Sequence, residues 1–193
     1  PELVELLAGT AGCSPYLAGL MNREAEWLEV ALLAQPEDAV STELAGLAGQ
    51  GSEALGVALR RAKRRIALLA GLADLGGVWT LEEVTGALTG LADAAVHQSF
   101  VALVSDEIRR GKVPGMQADD AVTAAGMVAI AMGKMGAGEL NYSSDIDLIC
   151  LFDESRFAPE DVQDARASFI KVVRRMTSML SDLTSDGYVF RTD

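Results

Sequence analysis

Two aspartates separated by a single residue, Asp145 and Asp147, are the side chains whose type and spacing most suggest chemistry. On an extended strand alternate residues share a face, so the two carboxylates would lie about 6.6 to 7 Å apart at the backbone. Two anions this close repel each other unless protons or a cation relieve the repulsion. They can converge on Mg²⁺, or on two metal ions about 3.5 to 4 Å apart. An isolated Asp-x-Asp is more often a turn, capping or surface feature, so its context decides the interpretation.

The context is a glycine-rich run at residues 133–138, Gly-Lys-Met-Gly-Ala-Gly, which directly follows the apolar residues 127–132. The apolar run predicts a short strand buried on both faces. Glycines after a strand let backbone amides approach phosphate oxygens, and Lys134 adds a positive charge. The run is neither a P-loop, since the lysine is second and no Ser or Thr follows it, nor a Rossmann fingerprint. A tight connection without ligand binding remains the alternative.

The elements that must position these residues fall into two segments. Residues 1–113 are predicted to be a helical region, in which Ser14 caps the first of three clear amphipathic helices and Pro15 follows it. Thr80 and Glu83 predict a capping box at the start of the third. The predicted helices cover about residues 14–33, 52–75 and 81–109.

Residues 114–193 have a different pattern, which predicts strand, glycine loop, strand, helix and strand. The predicted fold class is therefore α+β, a helical amino-terminal region followed by an incomplete mixed α/β sheet domain. The chain begins with proline and stops within a predicted strand, so we expect a piece of a longer polypeptide. The predicted strands and helix cover residues 127–132, 145–152, about 159–183, and 188–193.

Composition narrows the function classes. The net charge of −12 disfavours nucleic acid, because nonspecific binding to a polyanion needs Lys and Arg to neutralise its phosphates. A small nucleotide remains compatible, since a divalent cation can bridge its phosphates to carboxylates. We expect no membrane segment and a cytoplasmic protein whose Cys13 and Cys150 are reduced and buried. The basic cluster at residues 60–65 is interpreted as a solvated helix face.

A strand ending in Gly133-Lys134, followed twelve residues later by Asp145-Ile146-Asp147 on a second strand, resembles the signature of the nucleotidyltransferase superfamily. That superfamily usually has Gly-Ser at the first position. The whole run 133–148 closely resembles glutamine synthetase adenylyltransferase, and residues 186–193 (Asp-Gly-Tyr-Val-Phe-Arg-Thr-Asp) match its strand that carries a third metal-binding carboxylate. Asp193 would be that carboxylate. A weaker similarity covers the basic helix at residues 59–75.

The resemblance implies a nucleotidyltransferase-type sheet domain and a set of site residues. Asp145, Asp147 and Asp193 would be the catalytic residues and would bind Mg²⁺ or Mn²⁺. Gly133, Lys134 and Ser144 would contact phosphate oxygens of the nucleotide. Glu139-Leu140-Asn141 and Arg191-Thr192-Asp193 look more like the family's adenylyl-removing half. That half removes AMP from a tyrosine of glutamine synthetase by phosphorolysis, releases ADP, and so regulates nitrogen assimilation.

The same resemblance implies glutamine synthetase as the protein substrate, and a regulatory signalling protein as a partner of the full-length enzyme. Two alternatives remain open at this point. One is the adenylyltransferase half, which uses the same metals and attaches AMP from ATP. The other is a non-catalytic helical docking or regulatory fragment.

Overall fold

The computed structural model describes residues 2–143 and 145–193. Its first part is helical, as predicted, but it begins with four short helices where the sequence predicted one. Two long helices, α5 and α6, follow them. The bounds are α1 Glu2–Cys13, α2 Pro15–Arg23, α3 Ala25–Ala31, α4 Pro36–Ala45, α5 Ser52–Leu75 and α6 Leu81–Arg109.

The two long helices form the scaffold of the molecule and confirm their predicted spans. Leu55, Leu59 and Ile66 recur at helical spacing and are fully buried, and α5 packs along α6. The capping box of α6 is present: the Glu83 amide donates to Thr80 Oγ1 at 3.3 Å, and the Thr80 amide donates to Glu83 Oε2 at 2.6 Å. These bonds satisfy two of the amides that a helix start leaves without partners.

The helix predicted over residues 14–33 is divided in two at Glu24, whose backbone leaves the helical region (φ −110°, ψ 24°). Glu24 is buried, and its two carboxylate oxygens accept hydrogen bonds from Arg64 Nε at 2.7 Å and Arg65 Nε at 2.8 Å. Arg65 also pairs with Glu43 of α4 at 2.9 Å. This ion-pair cluster fixes the short helices to α5.

The interpretation of the basic cluster as a solvated face is therefore wrong. Arg60 is 6 % exposed, and its guanidinium donates to the carbonyls of Gly187 at 2.8 Å, Asp182 at 2.8 Å and Gly56 at 2.9 Å. A guanidinium has five donors and its stem is apolar, so it can be buried where carbonyls are supplied. Arg61 is the exposed member of the cluster.

The second part contains a small sheet and one long helix: β1 Met127–Ala131, the single-turn helix α7 Gly133–Gly136, β2 Leu148–Phe152, and α8 Val162–Ser181. Strands β1 and β2 pair antiparallel, with Met127 opposite Phe152 and Ala131 opposite Leu148. Short 3₁₀ segments at Ala118–Gly126 and Glu154–Arg156 flank the strands. The α+β class is confirmed.

Burial of β1 on both faces is contradicted by its exposed residues. Val128 and Ile130 are 53 % and 46 % exposed, and Ile149 and Leu151 of β2 lie open beside them at 48 % each. One sheet face packs on the helices and the other lies open. Because Asp145 and Asp147 have the same odd-numbered alternation as Ile149 and Leu151, they are aligned with the open face.

One continuous core joins the two parts, since Leu59 and Leu88 belong to the same buried cluster as Ile146, Val172 and Phe190. The predicted division between residues 113 and 114 stays a prediction. Cys13 is exposed, so the expectation of a buried thiol is wrong there, whereas Cys150 is half-buried.

Among the described residues, α6 is the one helix long and apolar enough to cross a membrane. However, 61 % of its apolar stretch is buried within the protein. In this structure, α6 packs as a core helix against α5 and α8.

Candidate functional site

The chain segment at residues 191–193 lies beside the segment that carries Asp145 and Asp147. Ile146 and Thr192 form a parallel bridge. The Ile146 amide donates to the Arg191 carbonyl at 2.9 Å, and the Asp193 amide donates to the Ile146 carbonyl at 3.1 Å. The Leu148 amide donates to the Asp193 carbonyl at 3.1 Å. Three backbone hydrogen bonds, two of them made by Asp193, thus fix residues 191–193 next to the Asp-x-Asp pair.

This register determines which side chains share a face. Bridged residues of neighbouring strands point to the same side, and successive residues alternate. Ile146 is fully buried and Thr192 half-buried, whereas Asp145, Asp147 and Asp193 are exposed. The three aspartates therefore lie along one solvent-facing side of two adjacent extended segments, as the sequence predicted for the pair.

The side chains on that face are held by different neighbours. Asp145 Oδ1 lies 2.6 Å from Arg191 Nε, in an ion pair that is largely exposed. Asp147 faces the backbone of Gly133, where an added Cβ would lie 3.3 Å from Asp147 Oδ2. Across residues 2–143 and 145–193, no three His, Cys, Asp or Glu side chains are grouped closely enough to hold a metal ion. The metal-binding role of the three aspartates stays a prediction.

The glycine run forms a single helical turn where the sequence predicted a loop. Gly133 has a φ of +56°, a left-handed conformation that favours glycine. Gly136 lies so close to β1 that an added Cβ would be 2.3 Å from the carbonyl oxygen of Ala131. Lys134 is exposed on this turn. Ser144, the third residue predicted to contact phosphate, lies outside the described residues.

The long helices position the connection between α7 and Asp145. Leu140 is fully buried, and its amide donates to Thr89 Oγ1 of α6 at 3.2 Å. The Tyr142 hydroxyl donates to Asp74 Oδ2 near the end of α5 at 3.2 Å. Burial, together with the charge and hydrogen bond of Asp74, raises the pKa of Tyr142 to about 12. The phenol thus stays protonated and keeps donating at neutral pH.

Helix α8 positions the segment that carries Asp193. The carbonyl of Leu180, near the end of α8, accepts from the amides of Val189 at 2.8 Å and Phe190 at 3.1 Å. The Ser181 hydroxyl donates to the Phe190 carbonyl at 3.1 Å and lies 3.0 Å from the Thr192 hydroxyl. The face that holds the three aspartates is therefore built against α5, α6 and α8.

Comparison with known protein families gives a match over nearly the whole chain. The family model described as glutamate-ammonia ligase adenylyltransferase matches residues 4–193. The chain belongs to this family. Members similar to it include the bifunctional glutamine synthetase adenylyltransferase/adenylyl-removing enzymes of Bradyrhizobium sp. strain BTAi1, Xanthobacter autotrophicus and Caulobacter vibrioides.

The similarity to these adenylyltransferase-family relatives is high over a limited part of their length. Identity is 40 % over 194 residues for the Bradyrhizobium protein, 40 % over 189 for the Xanthobacter protein and 37 % over 191 for the Caulobacter protein. The alignments cover 96 to 97 % of this chain and 19 to 20 % of each relative. The chain thus spans about one fifth of the length of the relatives that it matches.

Sequence reasoning missed one side chain on the candidate site of this family member. Arg191 pairs with Asp145. The sequence predicted no role for this arginine, which appeared only within the family-like residues 186–193. A signal was present: Arg191 and Asp193 are separated by one residue, so both belong to one face of an extended segment. Aligning that face with Asp145 and Asp147 would have placed the arginine among the carboxylates.

Proposed function

We propose that this chain carries the adenylyl-removing activity of its family: removal of AMP from a tyrosine of glutamine synthetase by metal-dependent phosphorolysis. The observation that most supports this is the parallel register of Ile146 and Thr192, which aligns Asp145, Asp147 and Asp193 on one exposed face. The names of the relatives combine adenylyltransferase and adenylyl-removing activities. The runs Glu139-Leu140-Asn141 and Arg191-Thr192-Asp193 resemble the family's removing half more than its attaching half.

The oxygen chemistry of the three carboxylates suits Mg²⁺ or Mn²⁺, and the three side chains would have to converge to form one site. Both are hard cations that take oxygen ligands, and three exposed carboxylates on adjacent segments offer those oxygens without a buried competitor. When bound there, such ions would neutralise charge on the transferring phosphoryl group and hold it in position. Asp145 would have to exchange its partner Arg191, at least in part, for the cation. Because that ion pair is exposed, the exchange costs little.

The chain's own residues would bind and orient the reactants. An oxygen of inorganic phosphate attacks the phosphorus of the tyrosine-linked AMP, and the bond from that phosphorus to the tyrosine oxygen breaks. The products are ADP and the unmodified tyrosine. Gly133 leaves open the space beside Asp147 that a side chain would fill, and Lys134 supplies an exposed positive charge for phosphate oxygens. Arg191, once released from Asp145, is a second cation for the same phosphates.

The direct test incubates the chain with adenylylated glutamine synthetase, inorganic phosphate and Mg²⁺, and measures ADP. We expect ADP formation that falls at least about 100-fold in Asp147→Asn, because loss of a metal carboxylate removes several kcal/mol of transition-state stabilisation. Asp38→Asn, an exposed carboxylate of α4, is the matched control and should retain the rate. Full activity of Asp147→Asn would rule out the assigned role.

A second reaction separates the two halves of the family. The chain is incubated with unmodified glutamine synthetase, ATP and Mg²⁺, and attached AMP is measured. Attachment without removal would overturn the proposal in favour of the adenylyltransferase half. If the folded chain performs neither reaction and binds no Mn²⁺, the result favours a non-catalytic docking fragment. A regulatory signalling protein as partner of the full-length enzyme remains part of the proposal.

A further inference from the structure

A cavity of about 550 Å³ lies between α2, α5, the turn after α8 and residues 142–143. Four aromatic side chains line it, Tyr16, Tyr142, Tyr188 and Phe190. Phe190 and Thr192 alternate with Arg191 and Asp193, so the buried Phe190 ring lies on the opposite side of the segment from Asp193. Phe190 therefore lines the cavity from the side opposite Asp193, and Tyr142 and Ser143, which precede the Asp-x-Asp segment, line it as well.

The cavity wall also has an excess of positive charge in a protein whose net charge is −12. Arg23, Lys63 and Arg64 line it, against a single carboxylate, Asp186. Asp186 pairs with Arg23 and lies 3.3 Å from Arg64, which also bonds Glu24 at 2.7 Å. The two arginines thus have acidic partners.

Lys63 is different, since it makes no ion pair with any carboxylate among the described residues. Its Nζ lies 4.1 Å from the centroid of the Phe190 ring, a cation–π contact that compensates part of its lost hydration. Burial lowers the pKa of Lys63 to about 8, because desolvation disfavours the ammonium form. An anion beside Nζ would restore the interaction that burial removed.

We propose that this cavity binds one small organic oxyanion, a carboxylate or phosphate group carried on a flat apolar body. The anionic group would pair with the Lys63 ammonium. The apolar body would lie against the exposed rings of Tyr16 and Tyr188, since such pockets bind ligands through apolar walls and a few placed polar groups. A highly charged ligand such as a nucleoside triphosphate does not fit a wall with one unpaired cation.

The test is calorimetric titration of the 193-residue chain with benzoate, phenyl phosphate, inorganic phosphate and benzyl alcohol, with a chelator present so that no metal occupies the aspartate face. We expect saturable binding of benzoate or phenyl phosphate, at least about tenfold tighter than inorganic phosphate or the neutral alcohol. The stronger of the two organic anions identifies the headgroup. Absence of saturable binding by either would overturn the proposal.

Two variants test the role assigned to Lys63. Lys63→Met keeps the apolar stem and removes the charge, so we expect at least about tenfold weaker binding. Lys171→Met, at an exposed position of α8, should bind like the unmodified chain. Equal affinity in Lys63→Met would overturn the proposal.

A measurement on the chain without substitutions keeps the test independent of variant folding. The chain has four lysines, Lys63, Lys112, Lys134 and Lys171, so ¹³C-methylation gives few NMR signals. We expect the bound anion to shift the Lys63 signal, which is assigned by its absence in Lys63→Met, more than the signals of the other three lysines. Equal shifts of all four would mean nonspecific association and contradict the proposed site.

Discussion

At the residue scale, Arg60 of α5 is a buried charged side chain that holds two parts of the fold together. Arg60 donates to three carbonyls, two of which, Asp182 and Gly187, belong to the turn that follows α8. That turn leads directly into the segment with Asp193. A single guanidinium therefore connects the helical scaffold to the chain that carries the third aspartate.

Arg60→Met is expected to destabilise the protein by about 2–3 kcal/mol, because it removes charge-assisted hydrogen bonds and leaves the carbonyls without that donor. Arg61→Met is the matched control, since Arg61 is exposed on the same helix and its replacement should stay within about 0.5 kcal/mol. Urea unfolding of both variants measures the difference. Equal stabilities of the two variants would show that the hydrogen bonds of the Arg60 guanidinium do not stabilise the fold.

Glu24 gives a prediction with a defined pH dependence. Burial raises the pKa of its carboxyl, but the hydrogen bonds and charges of Arg65 and Arg64 outweigh this, so the pKa lies below its ordinary value. A carboxyl with a depressed folded pKa stabilises the protein above its unfolded pKa and loses that effect as the pH falls through the folded pKa. The contribution is therefore complete at neutral pH and disappears in acid.

Glu24→Gln is expected to cost about 2 kcal/mol at pH 7, because it removes the buried charge that two half-buried arginines share. The difference in free energy of unfolding between the variant and the unmodified protein should decrease below pH about 4.3, the ordinary pKa of a glutamate. Urea unfolding at pH 7 and pH 3.5 measures it, with Glu26→Gln at an exposed position of α3 as control. A gap that stays constant across this range would contradict the account.

At the element scale, the close approach of α7 to β1 depends on Gly136. An added Cβ would lie 2.3 Å from the Ala131 carbonyl oxygen, a distance that forces the backbone to move. We expect Gly136→Ala to destabilise by about 2–3 kcal/mol, as overpacking does. Gly86→Ala in α6, where nothing lies within 4 Å, should instead stabilise by about 0.5–1 kcal/mol. Thermal or urea unfolding that finds both variants equally stable would rule out the contact.

The elements that the sequence predicted well are those whose signals are local. The spans of α5 and α6 follow from apolar spacing, and Thr80 with Glu83 identifies the start of α6. The break at Glu24 could not be predicted, because its cause is an ion pair with residues 40 and 41 positions away. Helix α4 had an unused signal in Pro36 followed by two acidic residues.

The candidate site was predictable in part for a similar reason. Alternation places Asp145 and Asp147 on one face whatever the rest of the fold, and the resemblance identified Asp193 as their companion. Asp193 lies beside the pair because Ile146 bridges to Thr192, 46 positions away. Local sequence patterns do not predict such a distant pairing, so only the structure shows it. The open face of β1 was missed because a short apolar run looks the same whether one or both faces are buried.

At the scale of the whole molecule, the acidic surface and the continuous core support one account. The core joins the helices to the sheet, so the aspartate face is packed against the helices. The net charge of −12 would repel a long polyanion yet attract divalent cations. The central claim is that Asp145, Asp147 and Asp193 together form a specific binding site for such cations.

Titration of the 193-residue chain with Mn²⁺ by calorimetry tests that claim most directly. We predict saturable binding that weakens at least about tenfold in Asp147→Asn and stays unchanged in Asp38→Asn. Circular dichroism of each variant confirms that it is folded. Absence of saturable binding in the unmodified chain, or equal affinity in Asp147→Asn, would contradict the account.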